Sequence, residues 1–182
     1  MTRIVPTIAS ETPANFLTGA LWNANVKAMG DFLMGSGSNG VPRFKGYAST
    51  SQAIATGTTD TPITLDTEDY DSDNGHSTTT NSSRYVIQVA GTYRIAGTGA
   101  LATNATGNRK LGININGVNA RGGAIQGAAI ASNSWSGVVY TEQVLGVGDY
   151  VELVCWQTSG GSLNTSATTG FGPVLMVSWF SG

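Results

Sequence analysis

Few side chains in this sequence can do chemistry. The single histidine, His76, stands in Gly75-His76-Ser77-Thr78-Thr79-Thr80, and any Ser-His-Asp or Cys-His mechanism would have to use it as its base. No G-x-S-x-G motif accompanies it, so His76 is read as an exposed loop histidine. The single cysteine, Cys155, shares one strand face with Val151 and Leu153, which makes it a buried small hydrophobe rather than a nucleophile. Because it stands alone, it excludes an intramolecular disulfide. Glu142 and Glu152 are candidates for a glycosidase-type carboxylate pair by residue type alone. The chain is therefore read as no enzyme.

The sharpest local feature is acidic. Asp66, Glu68, Asp69, Asp71 and Asp73 place five of the eleven acidic residues within eight positions, and their mutual repulsion needs solvent, a partner or a cation. Asp69, Asp71 and Asp73 match the first three acidic positions of a calcium loop. Asn74, however, stands where that loop needs Gly, and Thr80 where it needs its bidentate Glu, so an EF-hand is excluded. A non-EF Ca2+ site and a solvated acidic loop remain as readings, the second preferred, and no other cofactor is expected. Gly35, Gly37 and Gly40 spell G-x-G-x-x-G, but they run into Pro42 instead of opening a helix, so no dinucleotide fingerprint is assigned. Trp135 sits in the polar stretch Ser132-Asn133-Ser134-Trp135-Ser136-Gly137. It is either a stacking platform for a glycan or, preferably, a rim contact between subunits.

The elements that must position these residues follow from composition and period. Charged residues are only 11% and the net charge is -2, which argues against binding nucleic acid through phosphates. No apolar run approaches the length of a membrane span and no secretory h-region opens the chain, so a cytoplasmically synthesised product without membrane insertion is expected. Residues 1–17, with Pro6 and Pro13, read as an extended arm. Thr18 is a plausible N-cap, Trp22, Val26, Met29 and Leu33 fall on one helical stripe widened by Leu21 and Phe32, and Gly35 stops the helix as a C′ residue. That stripe needs a partner surface: this chain's own β domain, the same helix in sister chains, or a docking site. Residues 1–42 thus form an arm, a short helix and a Gly/Ser linker, and residues 43–182 a β domain.

Within the β domain, residues 44–48, 52–55 and 62–65 are short candidate strands, and 66–83 reads as a polar loop. Tyr85, Ile87, Val89, Gly91, Tyr93 and Ile95 alternate as one strand. Leu111, Ile113 and Ile115 alternate before the hairpin signal Asn116-Gly117, and residues 137–144, 150–157 and 173–180 complete about eight strands of an antiparallel β-sandwich. Residues 150–156 and 174–180 are apolar on both faces. A half-exposed strand alternates apolar with polar, so a second cover, from the arm or from another subunit, is expected.

In order, Tyr85-(x5)-Gly91-Thr92-Tyr93-Arg94-Ile95, Ile113-Asn114-Ile115-Asn116-Gly117, Val144 to Leu153 and Phe171-Gly172-(x2)-Leu175 resemble the motifs of the tumour-necrosis-factor-like jelly roll shared with complement globular heads. The resemblance implies a homotrimer, with Tyr150, Val154, Trp156, Met176 and Phe180 at the threefold interface. Residues 16–26 (Phe-Leu-Thr-Gly-Ala-Leu-Trp-Asn-Ala-Asn-Val) and 65–73 look like small virion proteins of tailed phages that infect actinobacteria. This second resemblance implies a minor tail or tail-tip protein on the virion, contacting other virion proteins and a host-envelope glycan, with capsid decoration at lattice threefold axes as the alternative.

Overall fold

The computed structural model of the chain describes residues 6, 18–35 and 40–182. Apart from Pro6, the expected arm lies outside the described residues, as do residues 36–39 of the linker. Among the described residues no helix is long and apolar enough to cross a membrane.

The helix forms where its cap and stripe placed it. Thr18, in extended conformation, accepts the Leu21 N–H on its side-chain oxygen, satisfying one of the first-turn donors. The helix runs without a break through an α turn (α1, Gly19–Leu21), a π-helical stretch (Trp22–Lys27) and a second α segment (α2, Ala28–Met34). Gly35 ends it, but with φ -67 and ψ 161, extended and not left-handed, and its N–H bonds the Asp31 carbonyl. Here glycine is needed for no special backbone region. Among the described residues the stripe finds little cover: Trp22, Val26 and Leu33 stay exposed. Phe32 is the one buried side chain of α2. Its ring meets Trp179 edge-on at 5.1 Å, which moors the helix to the sandwich.

Two antiparallel sheets follow. The strands are β1 Arg43–Tyr47, β2 Ala53–Ile54, β3 Gly57–Pro62, β4 Thr67–Asp71, β5 Arg84–Val86, β6 Gly91–Leu101, β7 Asn108–Ile115, β8 Val118–Ala128, β9 Trp135–Leu145, β10 Tyr150–Gln157, β11 Leu163–Asn164 and β12 Val174–Ser181. One sheet has the order β4-β1-β12-β6-β9 and the other β5-β10-β7-β8, with β2 and β11 as a separate pair. This is a jelly-roll sandwich. Its core lies between the sheets, where Phe44, Val177 and Ile95 stand in one register row of the first sheet. Tyr85 and Val151 face them from the second.

Four expectations need correction, the first being the candidate strand 62–65, of which only Pro62 lies in a strand, as the last residue of β3. The polar loop 66–83 contains β4, so most of the acidic cluster lies on or beside an edge strand, where side chains alternate between two faces instead of radiating into solvent. The single alternating run from Tyr85 to Ile95 is two strands, β5 and β6, in different sheets; the chain turns between them, and Gly91 takes φ 155. A Cβ on Gly91 would lie 2.5 Å from the Ser181 carbonyl. Strand β8 was hidden from periodicity because most of its side chains are exposed on both faces. The hairpin before it is as expected, with Asn116 at φ 51 and Gly117 at φ 78, both left-handed as a type I′ turn requires.

Candidate functional site

The acidic stretch is bound up in the fold. Asp66 is pushed up by burial, but this is overcome by the Ser49 N–H and the Ser49, Thr67 and Thr50 hydroxyls, which hold its carboxyl below the ordinary range. Asp69 pairs with Lys45 at 2.6 Å. Asp71 accepts the backbone N–H groups of Asp73 and His76, and Asp73 accepts the Tyr85 hydroxyl at 2.9 Å. Among the described residues no group of three or more His, Cys, Asp or Glu is placed to hold a metal ion. The three calcium-loop positions therefore point at different partners.

His76 is not exposed. Its side chain is fully buried, with Nδ1 2.6 Å from Glu68 Oε1, Nε2 3.0 Å from the Ser82 carbonyl oxygen and its ring 4.9 Å from that of Phe44. It ties the loop after β4 to the sandwich, and no nucleophile stands within its hydrogen bonds. Cys155 is buried as expected, and burial pushes its thiol up to about 12, the inert extreme for a cysteine. Glu142 lies on the outer face of the first sheet, while Glu152 is buried on the outer side of the second beside Arg84. Two carboxylates on opposite faces of a sandwich share no substrate.

Trp135 also leaves the surface. It is only 7% exposed and belongs to the core. Its indole occupies space that two small residues leave open, since a Cβ on Gly127 would come within 2.9 Å of its Nε1 and one on Gly137 within 3.0 Å of its ring. It can be neither a sugar platform nor a rim contact. Of the polar neighbours that suggested exposure, Ser132, Asn133 and Ser134 belong to the turn before β9; the indole itself points inward.

The five expected interface residues divide between the sheets. Val154 and Trp156 are buried within the single chain, because residues 53–65 come against β10 where β5 ends. Thr56 bridges to Gln157, the Ile63 N–H bonds the Leu153 carbonyl at 2.9 Å, and β3 packs on β10. Asp60 then reaches across the outer face to Lys110 Nζ at 2.7 Å and Asn119 Nδ2 at 2.7 Å. The second cover of β10 thus comes from the chain itself, which periodicity alone could not reveal. Tyr150 lies beside them under the Arg84 guanidinium at 4.2 Å.

Met176 and Phe180 have a different setting. Lys45, Met176, Ala96 and Tyr140 form one cross-strand row of the first sheet, and Tyr47, Val174, Thr98 and Val138 the next. Residues in directly opposed positions point to the same side, so this is one continuous surface, turned away from the core. Val138 is 66%, Tyr140 52%, Val144 81% and Phe180 50% exposed. At one end the Arg94 guanidinium lies 3.9 Å over the Phe180 ring, its Nε bonds Glu142 at 3.0 Å, and the Tyr140 hydroxyl donates to the same oxygen at 2.6 Å. Those two donors, Tyr140 first, hold the Glu142 carboxyl below its ordinary range. The side chains of β9 were missed as interface residues because Val138, Tyr140 and Val144 alternate with the equally apolar Val139 and Leu145.

No protein-family model matches the chain, and no curated protein does. Solved structures do match. The fold is similar to the globular domain of zebrafish complement 1qA protein, with a TM-score of 0.55 and 13% identity over 78% of this chain and 99% of that one. It is likewise similar to murine APRIL, crystallised at pH 5.0, with a TM-score of 0.58 and 8% identity over 76% of this chain and 98% of that one. The described chain is thus a jelly roll of the tumour-necrosis-factor-like and complement-globular-head type.

Proposed function

We propose that the chain acts as a homotrimeric, non-catalytic structural module on the surface of a phage virion, at the tail or tail tip, where it can meet the host envelope. The observation that carries the trimer is the outer face of the five-stranded sheet. Apolar and aromatic side chains cover it, and nothing in the described chain does, although monomeric proteins seldom leave such a contiguous surface open. The sequence resemblance implies the same threefold habit. The virion placement rests on the resemblance of residues 16–26 and 65–73 to phage virion proteins.

Light scattering on the intact protein at micromolar concentration is expected to give three times the 18.7 kDa chain mass, and a monomer would overturn the assembly. Immunogold labelling of particles is expected to mark tails. Label on the capsid shell would replace the tail assignment with decoration, and unlabelled particles would remove the virion role.

A further inference from the structure

On the side of the sandwich away from the open sheet face, the loop after β4 and the outward side of β5 enclose a recess of about 330 Å3, the size at which small-ligand sites begin. Val86 and Tyr150, adjacent in register, line it together with Arg84, and Asn74, Ser77, Thr80, Asn81 and Gln88 supply amides and hydroxyls. Asn74 and Asn81 hold left-handed conformations, φ 54 and 50, which turn the loop around this space.

The charge of the recess is unusual for this chain. Although five acids lie just upstream, none of the residues lining it is acidic. Glu68 and Asp71 are held by His76, Asp73 by Tyr85, and buried Glu152 accepts from Ser83 and from Arg84 Nε. That last bond and the Tyr150 ring fix the Arg84 guanidinium at 4.2 Å from the ring centre. Its two terminal nitrogens make no hydrogen bond or ion pair among the described residues, and the side chain is 40% exposed. A planar fork held in this way matches a carboxylate in bidentate fashion. The hydroxyls and amides around it match a polyhydroxylated ring.

We propose that this recess binds a carboxylate-bearing sugar, with Arg84 taking the carboxylate and Thr80, Asn81 and Gln88 the ring hydroxyls. In the proposed function this would be an acidic sugar of the host envelope; the site itself stays open in a trimer built on the other sheet.

The test titrates the full chain with a galacturonic acid oligosaccharide, a galactose oligosaccharide and acetate, following amide shifts by NMR. Saturable shifts over residues 74–88 and at Tyr150 are expected with the acidic sugar, and binding about tenfold or more weaker with each of the other probes. Arg84→Lys keeps a cation beside Glu152 but loses the fork, and is expected to weaken binding about tenfold to a hundredfold. Thr80→Trp, at an exposed loop position, fills the recess and is expected to abolish binding with the melting temperature unchanged, which keeps the test open should the Arg84 variant fail to fold. Equal binding of the neutral sugar, equal binding of acetate, wild-type affinity in Thr80→Trp, or no saturable shift would overturn the site. A trimer without sugar binding removes only this site, whereas a monomer that binds the acidic sugar removes only the assembly.

Discussion

Replacing Val138 by Asp tests the assembly most directly. Val138 is 66% exposed within β9, so in a lone chain the change costs only strand preference, up to about 1 kcal/mol. In a trimer closed over this face each carboxylate loses water without gaining a partner, at roughly 2–3 kcal/mol per copy. Three copies then weaken the trimer by roughly 6–9 kcal/mol, more than four decades in its dissociation constant. Val118→Asp is the control, since Val118 is 70% exposed but lies on β8 of the other sheet. Sedimentation velocity from nanomolar to micromolar protein is expected to show a monomer for Val138→Asp and an unchanged trimer for Val118→Asp. If Val138→Asp sediments as the wild type, or if both variants dissociate alike, the reasoning about this face fails.

Other consequences are local. Trp135→Ala is expected to lower unfolding free energy by about 3–5 kcal/mol, measured by urea denaturation, while leaving acidic-sugar binding intact; a surface-like loss below about 0.5 kcal/mol would contradict its core position. The Cys155 thiol is pushed up from 9.0 to about 12, so above pH 9 the unfolded chain releases a proton that the native chain keeps. Stability from this group is therefore complete below about pH 9 and falls as pH rises towards about 12; urea midpoints from pH 8 to 10.5 are expected to fall more steeply for the wild type than for Cys155→Ala. Phe32→Ala removes the contact with Trp179 and about 2 kcal/mol of burial. Tryptic cleavage after Lys27 is expected to accelerate at least tenfold with the melting of the sandwich little changed, and an unchanged cleavage rate would show that the helix is held elsewhere.

Local patterns were legible where local physics decides them. Thr18 offers a side-chain oxygen to the first turn, Asn116-Gly117 tolerates left-handed backbone, and the alternation in β7 needs only one buried face; each is a property of neighbouring residues. His76, Trp135 and Val154 were misplaced for a common reason. Each has polar or ambiguous neighbours in sequence, and its burial depends on how other strands and loops fold over it: Glu68 of β4 and Phe44 of β1 for His76, the space left by Gly127 of β8 and by Gly137 for Trp135, and residues 53–65 for Val154. The recess at Arg84 was equally hidden, because Tyr150 and Arg84 meet only through strand pairing.

A charge-poor antiparallel sandwich with one capped helix follows from composition, period and turn chemistry, which are local and add up along the chain. Which apolar faces are spent internally is settled by tertiary packing. A strand reads as two-faced whether its second cover is a segment of its own chain, as on β10, or nothing among the described residues, as on the outer side of β12. Choosing between these requires knowing where residues sixty or more positions away are brought by the closing of two sheets.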